Sequence, residues 1–393
     1  MIDRTLQTKV VQLARHYPIV TITGPRQSGK TTLCRMVFPD KAFVSLEAPD
    51  VREYARTDPR GFLSHHAAGA VLDEVQRVPE LLSYLQVDVD ERPPPGRFVL
   101  TGSANLALLD AVSQSLAGRT ALVNLLPLGR EEVVRFARHP TDVFTALWTG
   151  AYPAVYDREV PPEDWFASYV ATYVERDVRQ VLNVTDLVAF QTFLGLCAGR
   201  TGQLLNLSSL GADAGITHNT ARAWLSVLEA GFLVFRLPPF HGSLKKRLVK
   251  TPKLHFYDSG LLCYLVGIRS PEPLRSHPLR GGIFESWVAS EILKARLHRG
   301  LPGTLSYYRD RKGEEVDAIL ERGDALVAVE AKSGETIADD FFAALECFEQ
   351  ALAVPGRARK IEKVLVYGGD WSGVRSGTRV LPWSEVSGFG WAA

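Results

Sequence analysis

The chain has 393 residues, too many for one ordinary core and enough for two to four units. Hydrophobic residues make up 46% and charged residues 23%, an ordinary globular balance, and 45 Lys+Arg against 44 Asp+Glu leave a net charge of +1. No global field draws such a chain to nucleic acid or a membrane, so any basic patch must be local. Cys34, Cys197, Cys263 and Cys347 form no C-x-x-C pair, which argues against a zinc knuckle and fits a reducing cytoplasm. Residues 1–11 include Asp3, Arg4 and Lys9 and have no apolar core, so no signal peptide is expected. No apolar run approaches a membrane span.

In chain order, residues 19–23 are rich in β-branched side chains and read as a buried strand. Gly24, Pro25, Arg26, Gln27, Ser28, Gly29, Lys30 and Thr31 then satisfy the full phosphate-loop pattern G-x-x-x-x-G-K-[ST]. Residues 31–37, with Thr32 in the first turn, contain no Gly or Pro and read as the following helix. In this context the backbone N–H groups turn toward the β- and γ-phosphates of ATP or GTP at the positive end of a helix. Lys30 is expected on the phosphates and Thr31 on a bound Mg²⁺.

Residues 42–46 read as a second strand, and residues 70–72 as a short apolar strand ending in Asp73 and Glu74. An acid pair at a strand end is the Walker B pattern: Asp73 in the Mg²⁺ shell, Glu74 orienting and deprotonating the attacking water. The strand at 98–101 ends in small polar residues, of which Thr101, Ser103 and Asn105 are candidates to touch the γ-phosphate. A plain helix cap at Ser103 or Asn105 is the equal alternative. Arg119, just before a fifth strand at 121–125, is a candidate charge-stabilising arginine for its own or a neighbouring subunit, or else a surface residue.

These runs (24–33, 72–79, 100–103 and 115–119), together with 150–153, 173–177 and 250–253, resemble the prokaryotic AAA-type (AAA_14) P-loop ATPases that carry a DUF4143 C-terminal region. The resemblance covers nearly the whole chain. It implies an α/β protein with a parallel P-loop NTPase sheet, an extra strand between the Walker A and Walker B strands, and ATP with Mg²⁺ as cofactors.

A helix at 165–183 reads as a lid or connector, with Arg176 and Arg179 on its charged side. Two helices follow, at 207–214 and, capped by Thr217, at 218–229. Strands at 233–237 and 254–257 complete a helix-turn-helix with a hairpin, which is a winged helix. Lys245, Lys246, Arg247, Lys250 and Lys253 cluster in its wing and are candidates for DNA phosphate contact, with His218, Asn219 and Arg222 on the second helix. Solvated lysines on a packing module are the alternative.

Residues 269–278, with two closely spaced X-Pro turns, read as a linker. Beyond it come a helix from 282 to 297 with Glu285, a strand at 315–320 with Asp317, and a strand at 326–332 in which Glu330 and Lys332 share a face. Two or three carboxylates and a lysine on one sheet face suit Mg²⁺-dependent phosphodiester hydrolysis, with Glu285, Asp317 and Glu330 as metal ligands. The string resembles the PD-(D/E)XK nuclease superfamily, with Val316 where a proline often stands. That resemblance implies a restriction-endonuclease-like C-terminal domain.

The expected organisation is a P-loop core at 1–150, a helical lid at 151–190, a winged helix at 191–268 and a nuclease-like domain at 279–393. Two functions fit it. One is an ATP-hydrolysing enzyme acting at DNA, with Asp317, Glu330 and Lys332 as a nuclease; a homo-oligomer is a further expectation, with Arg119 acting in its own or a neighbouring subunit. The other is a nucleotide-switched regulatory or scaffold protein that cuts nothing. A nucleotide kinase is disfavoured for want of an acceptor pocket.

Overall fold

The computed structural model describes residues 2–91, 94–103, 112, 114–174, 186–240, 250–352 and 359–392. Asn105, Arg176, Arg179, Lys245, Lys246 and Arg247 lie outside the described residues. The chain forms two compact units: Met1–Leu128 with Ala230–Phe232 and Leu297–Leu301, and Gly129–Glu229 with Leu233–Arg296 and Pro302–Ala393. The position 150 read as the end of the P-loop core thus falls inside the second unit.

The first unit holds a five-stranded sheet of β1 (Ile19–Gly24), β2 (Ala42–Ser45), β3 (Ala70–Asp73), β4 (Phe98–Ser103) and β5 (Thr120–Asn124), in the order β2-β3-β4-β1-β5. Every pairing is parallel, and β4 is the strand between the Walker A strand β1 and the Walker B strand β3. Strands β1, β3 and β4 are buried along their whole length, which is why they read as unbroken apolar runs rather than alternating ones. Alternate residues feed two cores. Ile19, Leu72, Phe98 and Leu100 meet Leu81, Leu82 and Leu85 on one face, while Val20, Ile22, Val71 and Val99 meet Leu6, Val10 and Leu33 on the other. Register fixes what lies at the carboxyl edge: Gly24 is beside Ser103, and Ser45 beside Asp73.

In the second unit, helix Pro162–Tyr169 runs into a five-residue π turn, Val170–Val174. Helices Leu207–Asp213 and His218–Ala230 precede an antiparallel hairpin of β6 (Val234–Leu237) and β7 (Lys253–Phe256), the element order expected of a winged helix. Thr217 accepts from Thr220 N at 3.1 Å as the expected cap, and Trp224 is met edge-on by Phe190 and Phe193. The expected linker at 269–278 is a packed strap instead. Pro271–Leu274 forms a helical turn, Leu274 is fully buried, and the Arg275 guanidinium sits over Phe144 at 4.6 Å. A proline is at home in the first turn of a helix, so X-Pro spacing alone misread it.

The C-terminal sheet is mixed and six-stranded, with β8 (Ser306–Arg309), β9 (Glu315–Arg322), β10 (Ala325–Lys332), β11 (Lys360–Tyr367), β12 (Gly373–Arg375) and β13 (Thr378–Pro382) in the order β12-β13-β11-β10-β9-β8. Strands β9 and β10 are antiparallel, as expected, with Val329 opposite Ala318. The 18-residue helix Arg280–Leu297 is buried over most of its circumference, including Ser286, Glu291 and Lys294.

Candidate functional site

At the carboxyl edge of the first sheet, β1 turns sharply at Gly24, whose φ is +152°. A Cβ there would lie 2.1 Å from the Leu125 carbonyl oxygen, so only glycine fits. Gln27 and Gly29 also have positive φ, at 59° and 95°, and carry the loop over to helix Lys30–Val37. Arg4 ties the loop down, donating to Ser28 O at 2.7 Å and to Leu126 O at 2.8 Å.

Lys30 is buried and curls back to donate to Gly24 O at 3.1 Å and Pro25 O at 2.8 Å. Burial pulls its pKa down to about 8, while Glu74 and Asp73 work to hold it up. Thr31 Oγ1 donates to Asp73 Oδ1 at 3.1 Å, and Thr101 donates to the same oxygen. Glu74 adopts a left-handed conformation at φ 59°, turning the chain out of β3. Its carboxylate accepts from the Gln76 amide, which also donates to Ser103 Oγ at 2.9 Å. Gln76 lies within the run 72–79 and is not among the residues expected at the site. Its side chain links the ends of β3 and β4, and no spacing rule assigns it that task.

Arg119 stands elsewhere. It precedes β5, whose first residue, Thr120, pairs with Ile19 at the amino end of β1. The phosphate loop is at the other end of β1, roughly 17–20 Å away at strand rise. Arg119 makes a two-pronged pair with Asp90, at 2.6 and 2.7 Å, and does not reach its own phosphate loop. A residue before a parallel strand lies at that strand's amino edge, so strand direction was the missed signal.

A second constellation lies within the second unit. Glu285 on the long helix and Glu315 and Asp317 on β9 bring carboxylate oxygens within 4.8 Å of one another. Glu315 was not among the expected ligands, although it sits two residues from Asp317 and so on the same strand face. Asp317 also accepts from Ala331 N at 2.9 Å. Glu330 is buried and takes the Lys332 ammonium at 2.5 Å, so Lys332 pairs with Glu330 and not with Asp317. Burial, then the charge of Asp317, push Glu330 up to about 8. Glu285 is raised well above the usual carboxylate range by the same two causes.

Lys253 requires a correction. Expected in the wing as a DNA contact, it is the first residue of β7, and its side chain is 1% exposed. Its ammonium donates to Glu285 Oε1 at 2.7 Å, touches Glu315, and lies 3.8 Å from Asp317 Oδ1. Burial works against that charge, and Glu285, Asp317 and Glu315 outweigh it, holding the ammonium above its ordinary value. A lysine enclosed by three carboxylates is not available to phosphate. Of the other wing cations, Lys250 is exposed, as are His218, Asn219 and Arg222.

Three family models match successive stretches of the chain: an AAA domain (AAA_14) over residues 16–134, a domain of unknown function (DUF8612) over 140–272, and a domain of unknown function (DUF4143) over 280–386. The uncharacterized protein Rv2008c of Mycobacterium tuberculosis is 32% identical over 323 residues, 81% of this chain and 71% of that one. The chain belongs to the AAA_14 P-loop ATPases with a DUF4143 region. Uncharacterized protein Mb2031c of Mycobacterium bovis matches this AAA_14 ATPase to the same extent. Among solved structures, it is similar to a Walker-type ATPase of Pyrococcus abyssi (15% identity, 67% of this chain and 96% of that one, TM-score 0.44). AMPPCP-bound DnaA of Aquifex aeolicus is more loosely similar (15%, 57% and 85%, TM-score 0.30). Likeness at these scores decides nothing about activity.

The loop of this AAA_14 ATPase has the donor set for a triphosphate with magnesium. Ser28 Oγ is buried with no hydrogen-bond partner among the described residues, Lys30 donates only to loop carbonyls, and Thr31 and Asp73 already meet. Among the described residues no helix is long and apolar enough to cross a membrane.

Proposed function

We propose that the protein is a magnesium-dependent ATPase acting as a nucleotide-controlled switch, with the second unit as its effector part. The observation that carries this is the meeting of Lys30, Thr31, Asp73 and Glu74 at the carboxyl ends of β1 and β3. Gly24, Pro25, Arg26, Gln27, Ser28, Gly29 and Thr32 line the phosphate path in this reading, and Ser103 faces the γ-phosphate. Magnesium, held by Thr31 and Asp73, would supply charge neutralisation for the phosphates. Glu74 takes a proton from water as the water oxygen bonds to the γ-phosphorus. The bond from that phosphorus to the β–γ bridging oxygen breaks, leaving ADP and phosphate.

Phosphate release and ATP binding by the full chain test this. Glu74→Gln should keep binding and lose turnover by roughly 10²- to 10⁴-fold, and Lys30→Ala should lose both. Turnover unaffected by Glu74→Gln would remove the reading.

For the effector part, two readings meet at the DUF4143 region. The gathering of Glu285, Glu315 and Asp317 favours a Mg²⁺-dependent nuclease completed by Glu330 and Lys332. The buried Lys253 ammonium among those carboxylates favours the non-cutting form, a nucleotide-switched regulatory or scaffold protein. Contact with DNA, in this reading, would run through the exposed His218, Asn219 and Arg222 of helix His218–Ala230 and through Lys250. Plasmid nicking with Mg²⁺ or Mn²⁺ separates the two: cutting by the full chain that disappears in Asp317→Ala and Lys332→Ala would establish the nuclease.

A further inference from the structure

Lys253 and His255 occupy alternate positions of β7 and so face the same way, toward Glu285, Glu315 and Asp317. The His255 ring is fully buried. Its Nδ1 shares a hydrogen bond with Ser286 Oγ at 2.9 Å, and Ser286 is held in turn by Thr201 at 2.6 Å, which fixes the ring plane. The other nitrogen, Nε2, points at Glu285 Oε1 from 3.8 Å and has no hydrogen-bond partner among the described residues. A buried imidazole nitrogen left unpaired and aimed into a carboxylate cluster is a ligand atom without a ligand.

The cluster as it stands does not fit a metal. One Glu285 oxygen and one Glu315 oxygen are committed to the Lys253 ammonium, the other Glu315 oxygen to Arg309 Nη1 at 3.0 Å, and one Asp317 oxygen to Ala331 N. The Lys253 ammonium also sits over the Tyr307 ring, 5.4 Å from its centroid. An ammonium and a divalent ion make the same demand on these oxygens and cannot both be served. We propose that Glu285, Glu315, Asp317 and His255 form a latent divalent-cation site that Lys253 keeps closed by placing its own ammonium there. Three carboxylates with one imidazole nitrogen suit Mn²⁺ or Zn²⁺ better than Mg²⁺. The inference deepens the non-cutting reading: β7 supplies the cation that a nuclease would take from solution.

The test is Mn²⁺ binding by the nucleotide-free full chain, followed by paramagnetic resonance of free Mn²⁺ and by the thermal transition. Wild type should show no Mn²⁺ site sensitive to Asp317→Asn. Lys253→Met should gain one Mn²⁺ per chain, at least tenfold tighter than anything wild type shows, and lose it again in the Lys253→Met, Asp317→Asn double variant. Should Lys253→Met be poorly folded alone, Mn²⁺ should raise its melting temperature by more than it raises that of wild type or of the double variant. A wild-type site as tight as that of Lys253→Met, or no gain and no thermal rescue in Lys253→Met, would overturn the inference. Plasmid nicking by wild type would remove the non-cutting reading without touching the Mn²⁺ comparison, so the two can fail separately.

Discussion

Thr31 Oγ1 lies 3.1 Å from Asp73 Oδ1, so a hydroxyl in the first turn of one helix and the carboxylate that ends β3 are neighbours. In the proposed ATPase this hydroxyl–carboxylate pair would hold the hydrated cation. Thr31→Ala should weaken the Mg²⁺ dependence of ATP turnover by roughly 10- to 100-fold, and Thr31→Ser should retain it. Magnesium titrations of phosphate release check this. Equal effects of Ala and Ser would point to packing rather than to the hydroxyl.

Gln76 is a positioning residue. Its amide holds Glu74 with one contact and Ser103 with another, so it sets where the carboxylate stands relative to the end of β4. Gln76→Ala should lower kcat by roughly 10- to 100-fold while leaving ATP affinity unchanged. A matching rise in Kd for ATP would mean that Gln76 shapes the loop instead.

Arg119, at the amino edge of the sheet and paired with Asp90, can act on phosphate only in a neighbouring copy. Arg119→Ala should therefore leave the activity of dilute protein unchanged and abolish any rise in specific activity with protein concentration. An equal loss at every concentration contradicts this placement.

The thiols report on burial. Cys34, Cys197 and Cys263 are buried, and Cys347 is partly exposed. Burial pushes Cys197 up to about 12 and raises Cys263 likewise. At pH 8 a disulfide reagent should titrate Cys347 alone in the native chain, and all four thiols after denaturation. From pH 9 upward the unfolded chain loses thiol protons that the native chain keeps, so stability should fall as pH rises from 9 toward 12. Rapid reaction of Cys197 at pH 8 would contradict its burial.

The first unit was legible because parallel strands covered on both faces leave continuous apolar runs. Its candidate ligand residues also sit at strand ends, where sequence can place them. Asp73 and Ser103 were placed at the ends of their strands this way. Lys253 was not, because its charge belonged to a run that reads as surface. The residues that enclose it, Glu285, Glu315 and Asp317, come from a helix and a strand well downstream, and no local pattern couples them. Glu315 was within reach of the two-residue strand period applied to Asp317. Strands β11 to β13 were not read at all, and they follow from the pairing of β10 with β11 rather than from any local motif.

The most direct test of the account is calorimetric titration of ATP with Mg²⁺ into the full chain and into Lys30→Ala. The account predicts one saturable site per chain in the wild type and none in the variant. Heat of binding that is the same in both, or absent from both, would contradict it.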